Sequence, residues 1–321
     1  MPRASLPALL LVIGFLLDPP LAADWSLVSQ NLNRLFDDID DPEDDRVLSR
    51  KRYRERVRQL AEKIVGNFGQ PDILALQEVE KRAILQAVAD EVEALGGRRY
   101  RAFLVDGNDR SGIDVGYLVA DDLDIRRVEP LFADHRYRYD KKGRSVEAPL
   151  YARPPLLLEF CREGRCMTLV NVHLRSMRGL RHRSKGKRIA LKRRLQAETL
   201  ADWVQDFQQR HPRRALALVG DFNALTPSDR YVDVVGIIRG NPDPERPRHR
   251  SRDRVEPDLV DPGEALSRGK RYSYRYKKRK QLLDYLLLNE PASEWLDAMH
   301  YGWIDYRFSD HAALTASFRQ P

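Results

Sequence analysis

Apolar positions recur every three or four residues at Val57, Leu60, Ala61, Ile64, Val65 and Phe68, which puts them on one face of a helix over 53–68. The same period through Ile84, Val88, Val92 and Leu95 predicts a second helix. A longer one over 184–208 carries Ala197, Leu200, Ala201, Val204 and Phe207 on one side. Around these helices lie short apolar runs bounded by turn residues, the pattern of strands, at 25–30, 73–76, 99–105, 113–119, 156–161, 167–174, 215–220, 272–276, 283–288 and 311–318. The acidic run 37–45 and the Pro- and Arg-rich stretch 239–256 read as solvated loops. No internal repeat and no dividing linker is visible. Many strands with few helices predict one domain of two packed sheets with helices outside.

The pattern changes at the N-terminus. Arg3 precedes a 12-residue apolar stretch, 6–17, then Asp18-Pro19-Pro20 breaks it and Leu21-Ala22-Ala23 supplies small residues. This reads as a signal peptide over 1–23, leaving a mature domain over 24–321. The stretch is shorter than the ~20 apolar residues that cross a bilayer. Cys161 and Cys166 bracket a Gly-containing turn between two strand-like runs, which would set them opposite each other in a hairpin, within reach of a disulfide. Such a bond persists in an oxidising compartment, so an exported protein, periplasmic or secreted, is expected. Zinc is disfavoured, because no second Cys or His pair stands nearby at ligand spacing.

Charge narrows the partners. The 321 residues hold 56 Lys and Arg against 48 Asp and Glu, a net +8 that loss of the leader leaves unchanged. Ten of the twenty residues in 175–194 are basic, and 268–280 interleaves Tyr272, Tyr274 and Tyr276 with eight Lys and Arg. Basic stretches of this kind favour anionic partners and can track a phosphate backbone, with tyrosines stacking on bases. They read equally well as a solvated face with alternating tyrosines packed in a sheet.

Five segments place acids, amides and histidines where strands end: Ser29-Gln30-Asn31, Leu76-Gln77-Glu78-Val79, Asn171-Val172-His173, Gly220-Asp221-Phe222-Asn223 and Ser309-Asp310-His311, the last preceded by Leu283-Asp284-Tyr285. A carboxylate just past a buried strand is held rigidly at the sheet rim. Several such rims converging on one point would repel one another unless a cation sat among them. Hard oxygen ligands with open positions suit Mg²⁺. Two histidines beside such an ion could serve as base and acid in phosphate-ester hydrolysis. Taken singly, each residue has an ordinary structural reading as a cap, a turn or a satisfied histidine.

As an ordered set they resemble the endonuclease/exonuclease/phosphatase superfamily, which contains pancreatic-type deoxyribonucleases, abasic-site endonucleases, sphingomyelinases and inositol-polyphosphate phosphatases. The resemblance runs from about Trp25 to Phe318. It implies a four-layer α/β/β/α sandwich with Asn31, Glu78 and Asp310 at the metal. It further implies His311 as general base oriented by Asp284, and His173 as general acid oriented by Asp114. Asp221 and Asn223 correspond to the pair that positions phosphate and water, and Arg153 to a phosphate-contacting arginine. The cofactor implied is Mg²⁺ or Mn²⁺, with Ca²⁺ an option.

An exported nuclease acting on nucleic acid is the leading expectation. The alternatives are a phosphatase or phospholipase C-like enzyme of the same fold, and an inactive nucleic-acid-binding module. A lipid-directed enzyme would need an exposed aromatic or aliphatic loop. None is expected after the leader, so no membrane insertion is expected. Nothing demands a second subunit, and a monomer is expected. Neither a GxxxxGK[ST] loop nor a GxSxG elbow is present.

Overall fold

The computed structural model describes residues 24–40, 46–226, 231–242 and 251–319. Residues 1–23, expected to be a signal peptide, positions 41–45 of the acidic run and 243–250 of the Pro- and Arg-rich stretch lie outside the described residues. In chain order the elements are β1 (Trp25–Leu35), α1 (Arg50–Val65), β2 (Ile73–Val79), α2 (Arg82–Ala94), β3 (Tyr100–Leu104), β4 (Asp114–Ala120) and β5 (Asp124–Pro130). A hairpin follows, β6 (Arg136–Lys141) and β7 (Arg144–Pro149), then β8 (Leu156–Arg162), β9 (Arg165–His173), α3 (Gly186–Arg210), β10 (Ala215–Asp221) and α4 (Val234–Arg239). The last part holds a second hairpin, β11 (Tyr274–Tyr276) and β12 (Arg279–Gln281), then β13 (Asp284–Leu288), α5 (Glu290–Trp295), β14 (Leu296–Tyr301) and β15 (Leu314–Phe318).

One sheet has the order β14-β15-β1-β2-β4-β3 and the other β13-β10-β9-β8-β5. Strand alternation shows why the runs read as continuously apolar. In β10, Ala215, Ala217 and Val219 enter the layer between the sheets, while Leu216 and Leu218 turn outward against Ala197, Leu200 and Val204 of α3. The other sheet does the same: Ile73 and Ala75 face inward, and Leu74 and Leu76 meet Leu60 and Ile64 of α1 and Val88 of α2. A sheet covered on both faces needs apolar residues at every position. Each fully buried Leu or Val contributes about 1.5–3 kcal/mol. The result is the four-layer α/β/β/α sandwich that the resemblance implies.

The elements missed by hydrophobic pattern sit at edges. β5 is largely exposed and caps the second sheet, and the β6–β7 ribbon stands apart from both sheets. Neither carries a clean two-residue apolar alternation. The strand expected over 311–318 begins only at Leu314; before it, His311 makes a single antiparallel bridge to Tyr274. Asp37, expected in a solvated loop, is instead buried and ion-paired to Lys81 at 2.8 Å. Cys161 and Cys166 face each other across the β8–β9 hairpin and are disulfide-bonded. Among the described residues no helix is long and apolar enough to cross a membrane.

Candidate active site

β1 and β2 run parallel at the centre of one sheet, and β9 and β10 run parallel at the centre of the other. The register sets Asn31 opposite Gln77, and Asp221 opposite both His173 and Asp284. These four strands deliver their chemistry-bearing residues to one end of the sandwich. The register of β2 slips between Gln77 and Val79, leaving Glu78 in a bulge with φ 60°. A left-handed backbone costs an ordinary residue about 1–2 kcal/mol. Its effect here is to re-aim the Glu78 carboxylate into the site, as bulges commonly do.

Gly220 has a similar but stricter role. Its φ is 131°, and an added Cβ would lie 2.2 Å from the Val172 carbonyl oxygen and 3.0 Å from Asn171 Oδ1. The parallel pairing of β10 with β9 therefore requires glycine just before Asp221. Gly220→Ala is expected to destabilise the fold by about 2–4 kcal/mol in urea unfolding. A cost under 1 kcal/mol would show that the two strands part easily.

The carboxylates converge. Asn31 Nδ2 donates to Glu78 Oε1 at 3.2 Å and to Asp221 Oδ2 at 3.1 Å, while its Oδ1 accepts the Asn33 N–H at 2.8 Å. His311 Nδ1 lies 2.7 Å from Asp284 Oδ2, which leaves Nε2 facing Asp221 Oδ2 at 4.0 Å. His173 Nε2 lies 3.6 Å from the same Asp221 oxygen and 3.8 Å from Glu78 Oε1. Asn223 fixes Asp221 through its backbone N–H at 2.8 Å and its side-chain amide at 3.1 Å. A cavity of about 1350 Å³ opens onto Glu78, His173, Asp221, Asn223, Asp310 and His311.

The two histidines carry different charge. Burial opposes the charged form of His311, but Asp284 and Asp221 override it and push its pKa up to about 10. Burial, then Arg153 and His311, hold His173 well below the ordinary histidine value, so it is neutral. The proton-donor role implied for His173 needs a charge that this environment opposes; a neutral Nε2–H suits hydrogen-bond donation. Asp221 is raised to about 7, first by burial and then by Asp284 and Glu78 against the attraction of His311. Burial is the main cause, with the neighbouring carboxylates adding to it.

Two other assignments change in detail. No hydrogen bond joins Asp114 to His173: Asp114 Oδ2 accepts the Gly107 N–H at 3.0 Å, while Asp114 Oδ1 and His173 Nδ1 are each buried without a partner. Arg153 reaches the cavity, but its guanidinium pairs with Asp109 and donates to the His173 and Leu174 carbonyls at 3.3 and 3.4 Å. Supporting residues also emerge that sequence spacing does not reveal. Asn171 Nδ2 crosses the inter-sheet layer to the Leu76 and Gly116 carbonyls, both at 3.0 Å, and its Oδ1 accepts from Gln77 Nε2 at 2.8 Å. Ser309 Oγ donates to the Asn31 carbonyl at 2.7 Å and accepts the His311 N–H at 3.0 Å, clipping the loop of His311 to β1. Tyr274 lies against the His311 ring, with centroids 5.0 Å apart.

The exposed aromatic residues depart from expectation. The loop preceding Asp310 carries Trp303, 86% exposed, and Tyr306, 61% exposed; Tyr276 of β11 is exposed as well. An exposed aromatic loop, not expected from the sequence, is therefore present. Hydrophobicity alone assigns such residues to the core, and nothing in the spacing marks them as exposed.

The residues fit a divalent cation. Ligand atoms of Asp221, Asp284 and His311 lie within 4.8 Å of one another, although Asp284 is already committed to His311. Glu78 and Asp310 stand on the cavity wall. Asn31 turns its amide nitrogen to Glu78 and Asp221, which ties it to the same group of carboxylates.

A sequence model described as the endonuclease/exonuclease/phosphatase family matches residues 26–291. Among solved structures, truncated TDP2 of Caenorhabditis elegans matches with 19% identity and a TM-score of 0.56, over 92% of this chain and 97% of that one. TDP2 of D. rerio complexed with single-strand DNA product matches with 15% identity and a TM-score of 0.57, over 92% and 99% of the two chains. An endonuclease/exonuclease/phosphatase from Bacteroides vulgatus matches with 15% identity and a TM-score of 0.54, over 92% and 99%. At these identities the likeness is one of fold. No curated protein sequence matches the chain.

Proposed function

We propose that this chain, which belongs to the endonuclease/exonuclease/phosphatase family, is an exported nuclease that hydrolyses phosphodiester bonds of nucleic acid. The observation that carries the chemistry is the Asp284–His311 pair at 2.7 Å, whose free Nε2 points at Asp221 across a cavity rimmed by basic and aromatic side chains. Asp284 holds the imidazole so that Nε2 meets a water positioned by Asp221; Nε2 takes the proton as that water attacks phosphorus, the opposite ester P–O bond breaks, and the departing oxygen takes up a proton from solvent. Asn223 keeps Asp221 in place. His173 donates a neutral N–H to a phosphate oxygen from the opposite side. Glu78 and Asp310 would hold Mg²⁺ or Mn²⁺, which supplies positive charge to the phosphate oxygens and opposes the field that keeps a proton on His311.

Nucleic acid as substrate is supported by the basic stretches that flank this cavity. Arg175, Arg178 and Arg181 line one side, and Lys277 and Arg279 of the β11–β12 hairpin line the other. The exposed Trp303 favours a second reading, a lipid headgroup phosphodiester presented at a membrane surface. One set of assays separates them: supercoiled plasmid, RNA and phospholipid vesicles, each with Mg²⁺ and with chelator. Metal-dependent plasmid nicking that is absent in Asp221→Ala is the expected result. Vesicle binding with headgroup release and intact plasmid would replace the nuclease reading with the lipid one. Chelator is expected to remove more than about 99% of activity, and restored Mg²⁺ to recover it.

A further inference from the structure

Next to Arg153 the molecule gathers positive charge that takes no part in the proton transfers proposed above. Arg175 leaves the end of β9, while Arg188 and Lys192 project from α3, and all three are half-buried. Among the described residues none of the three has a carboxylate within ion-pair distance; the nearby Asp109 is committed to Arg153. Their hydrogen bonds go to neutral acceptors. Lys192 Nζ donates to the Pro149 carbonyl at 3.0 Å, Arg188 to Tyr139 Oη at 3.2 Å, and Arg175 to Ser176 Oγ at 2.9 Å.

The β6–β7 ribbon floors this group. Tyr137 and Tyr139 stack 5.5 Å apart, with the Arg188 guanidinium 4.9 Å over the Tyr139 ring and Lys192 Nζ 5.6 Å from that of Tyr137. Rings and a carbonyl orient the cations without neutralising them. The cost of crowding is visible: burial first, then Arg153, Arg175 and Arg188, bring Lys192 down to about 8, with only Asp109 acting the other way. Like charges held together in a half-buried pocket destabilise a protein unless an anion joins them. Of the three, Arg175 lines the catalytic cavity, beside Arg153 and Asp109, and so joins the cluster to it.

We propose that Arg175, Arg188 and Lys192 form a second phosphate subsite, which binds a phosphate of the substrate strand other than the one being cleaved. The assignment rests on the phosphodiesterase reading and specifies it, because a substrate with several phosphates gains from this site and a lone phosphodiester does not. Free phosphate offers the same chemistry from a second source.

Two measurements test it. Lys192→Met keeps the stem and removes the charge. It is expected to raise KM for a short oligonucleotide about tenfold, with kcat within about twofold and no change on bis(p-nitrophenyl) phosphate, which has a single phosphate. Lys192→Arg should restore the KM. The second measurement needs no turnover: in Asp221→Ala with chelator, acylation of Lys192 at pH 8 is followed by peptide mass spectrometry. Oligonucleotide should slow that acylation. Equal protection by inorganic phosphate at the same phosphate concentration would overturn the strand assignment in favour of a free-phosphate site. Unprotected Lys192 together with an unchanged KM in Lys192→Met would overturn the subsite altogether. Protection without any cleavage of nucleic acid by the wild type would leave the subsite standing while the nuclease reading fell.

Discussion

His311→Ala should lower turnover on a phosphodiester by about 10³–10⁴-fold while leaving the protein folded. The imidazole is the group whose free nitrogen faces both Asp221 and the cavity, and Asp284 leaves it little freedom to turn. KM should move little, because His173, the cation and the basic rim still gather the phosphate. Steady-state kinetics with metal at saturation is the measurement. Turnover within tenfold of wild type would remove His311 from the role of base and shift that role to Asp221, whose raised pKa makes it the next best proton acceptor.

The same residue predicts a pH effect on stability in the metal-free protein. The folded-state pKa of His311 is raised to about 10, above the ordinary 6.5. A histidine raised on folding stabilises the folded state fully below its unfolded value, and that contribution is lost as pH rises through the folded value. Wild type in chelator should therefore lose more stability between pH 7 and about 10 than His311→Ala does, in urea unfolding across that range. Parallel profiles would mean that Asp284 and Asp221 do not hold the charge on His311.

Asn171→Leu is expected to cost about 3–5 kcal/mol of stability, with a further loss of activity at temperatures where the variant is still folded. Leucine keeps the branched outline of asparagine but is bulkier, so overpacking adds to the loss of the hydrogen bonds. The amide spans the dry layer between the sheets, donating to Leu76 and Gly116 of β2 and β4 while accepting from Gln77. Two buried carbonyls and one buried amide would lose a partner where water does not enter. Gln77 also precedes Glu78, so a loosened Gln77 would unsettle the bulge that aims the carboxylate. Equilibrium urea unfolding gives the number, and a loss below 1 kcal/mol would show that the sheets are held by apolar packing alone.

Much of this site was legible because each group stands at the end of an apolar run, where the chain emerges at a sheet rim. Asp221 follows Ala215–Gly220 directly, and His173 closes the strand Arg165–His173. Parallel neighbours then bring such ends together, so linear position translated into spatial position. The Asp109–Arg153 pair was not legible, since its members lie 44 residues apart and no periodic element carries Asp109. Asn171 was visible only as a polar residue in an apolar run; its partners belong to the other sheet, and no local rule names them. The β6–β7 ribbon escaped for a different reason. Its tyrosines bury against α3 only because the fold brings that helix beneath them.

The two sheets divide the catalytic groups, with Asn31, Glu78 and the loop of His311 on one and His173, Asp221 and Asp284 on the other. Moreover β15, the final strand, inserts between β14 and the N-terminal β1. The site accordingly exists only where the two sheets are held in register, with Asn31 bridging Glu78 of one and Asp221 of the other. A slip of one sheet against the other would therefore part Glu78 from Asp221 without breaking either sheet.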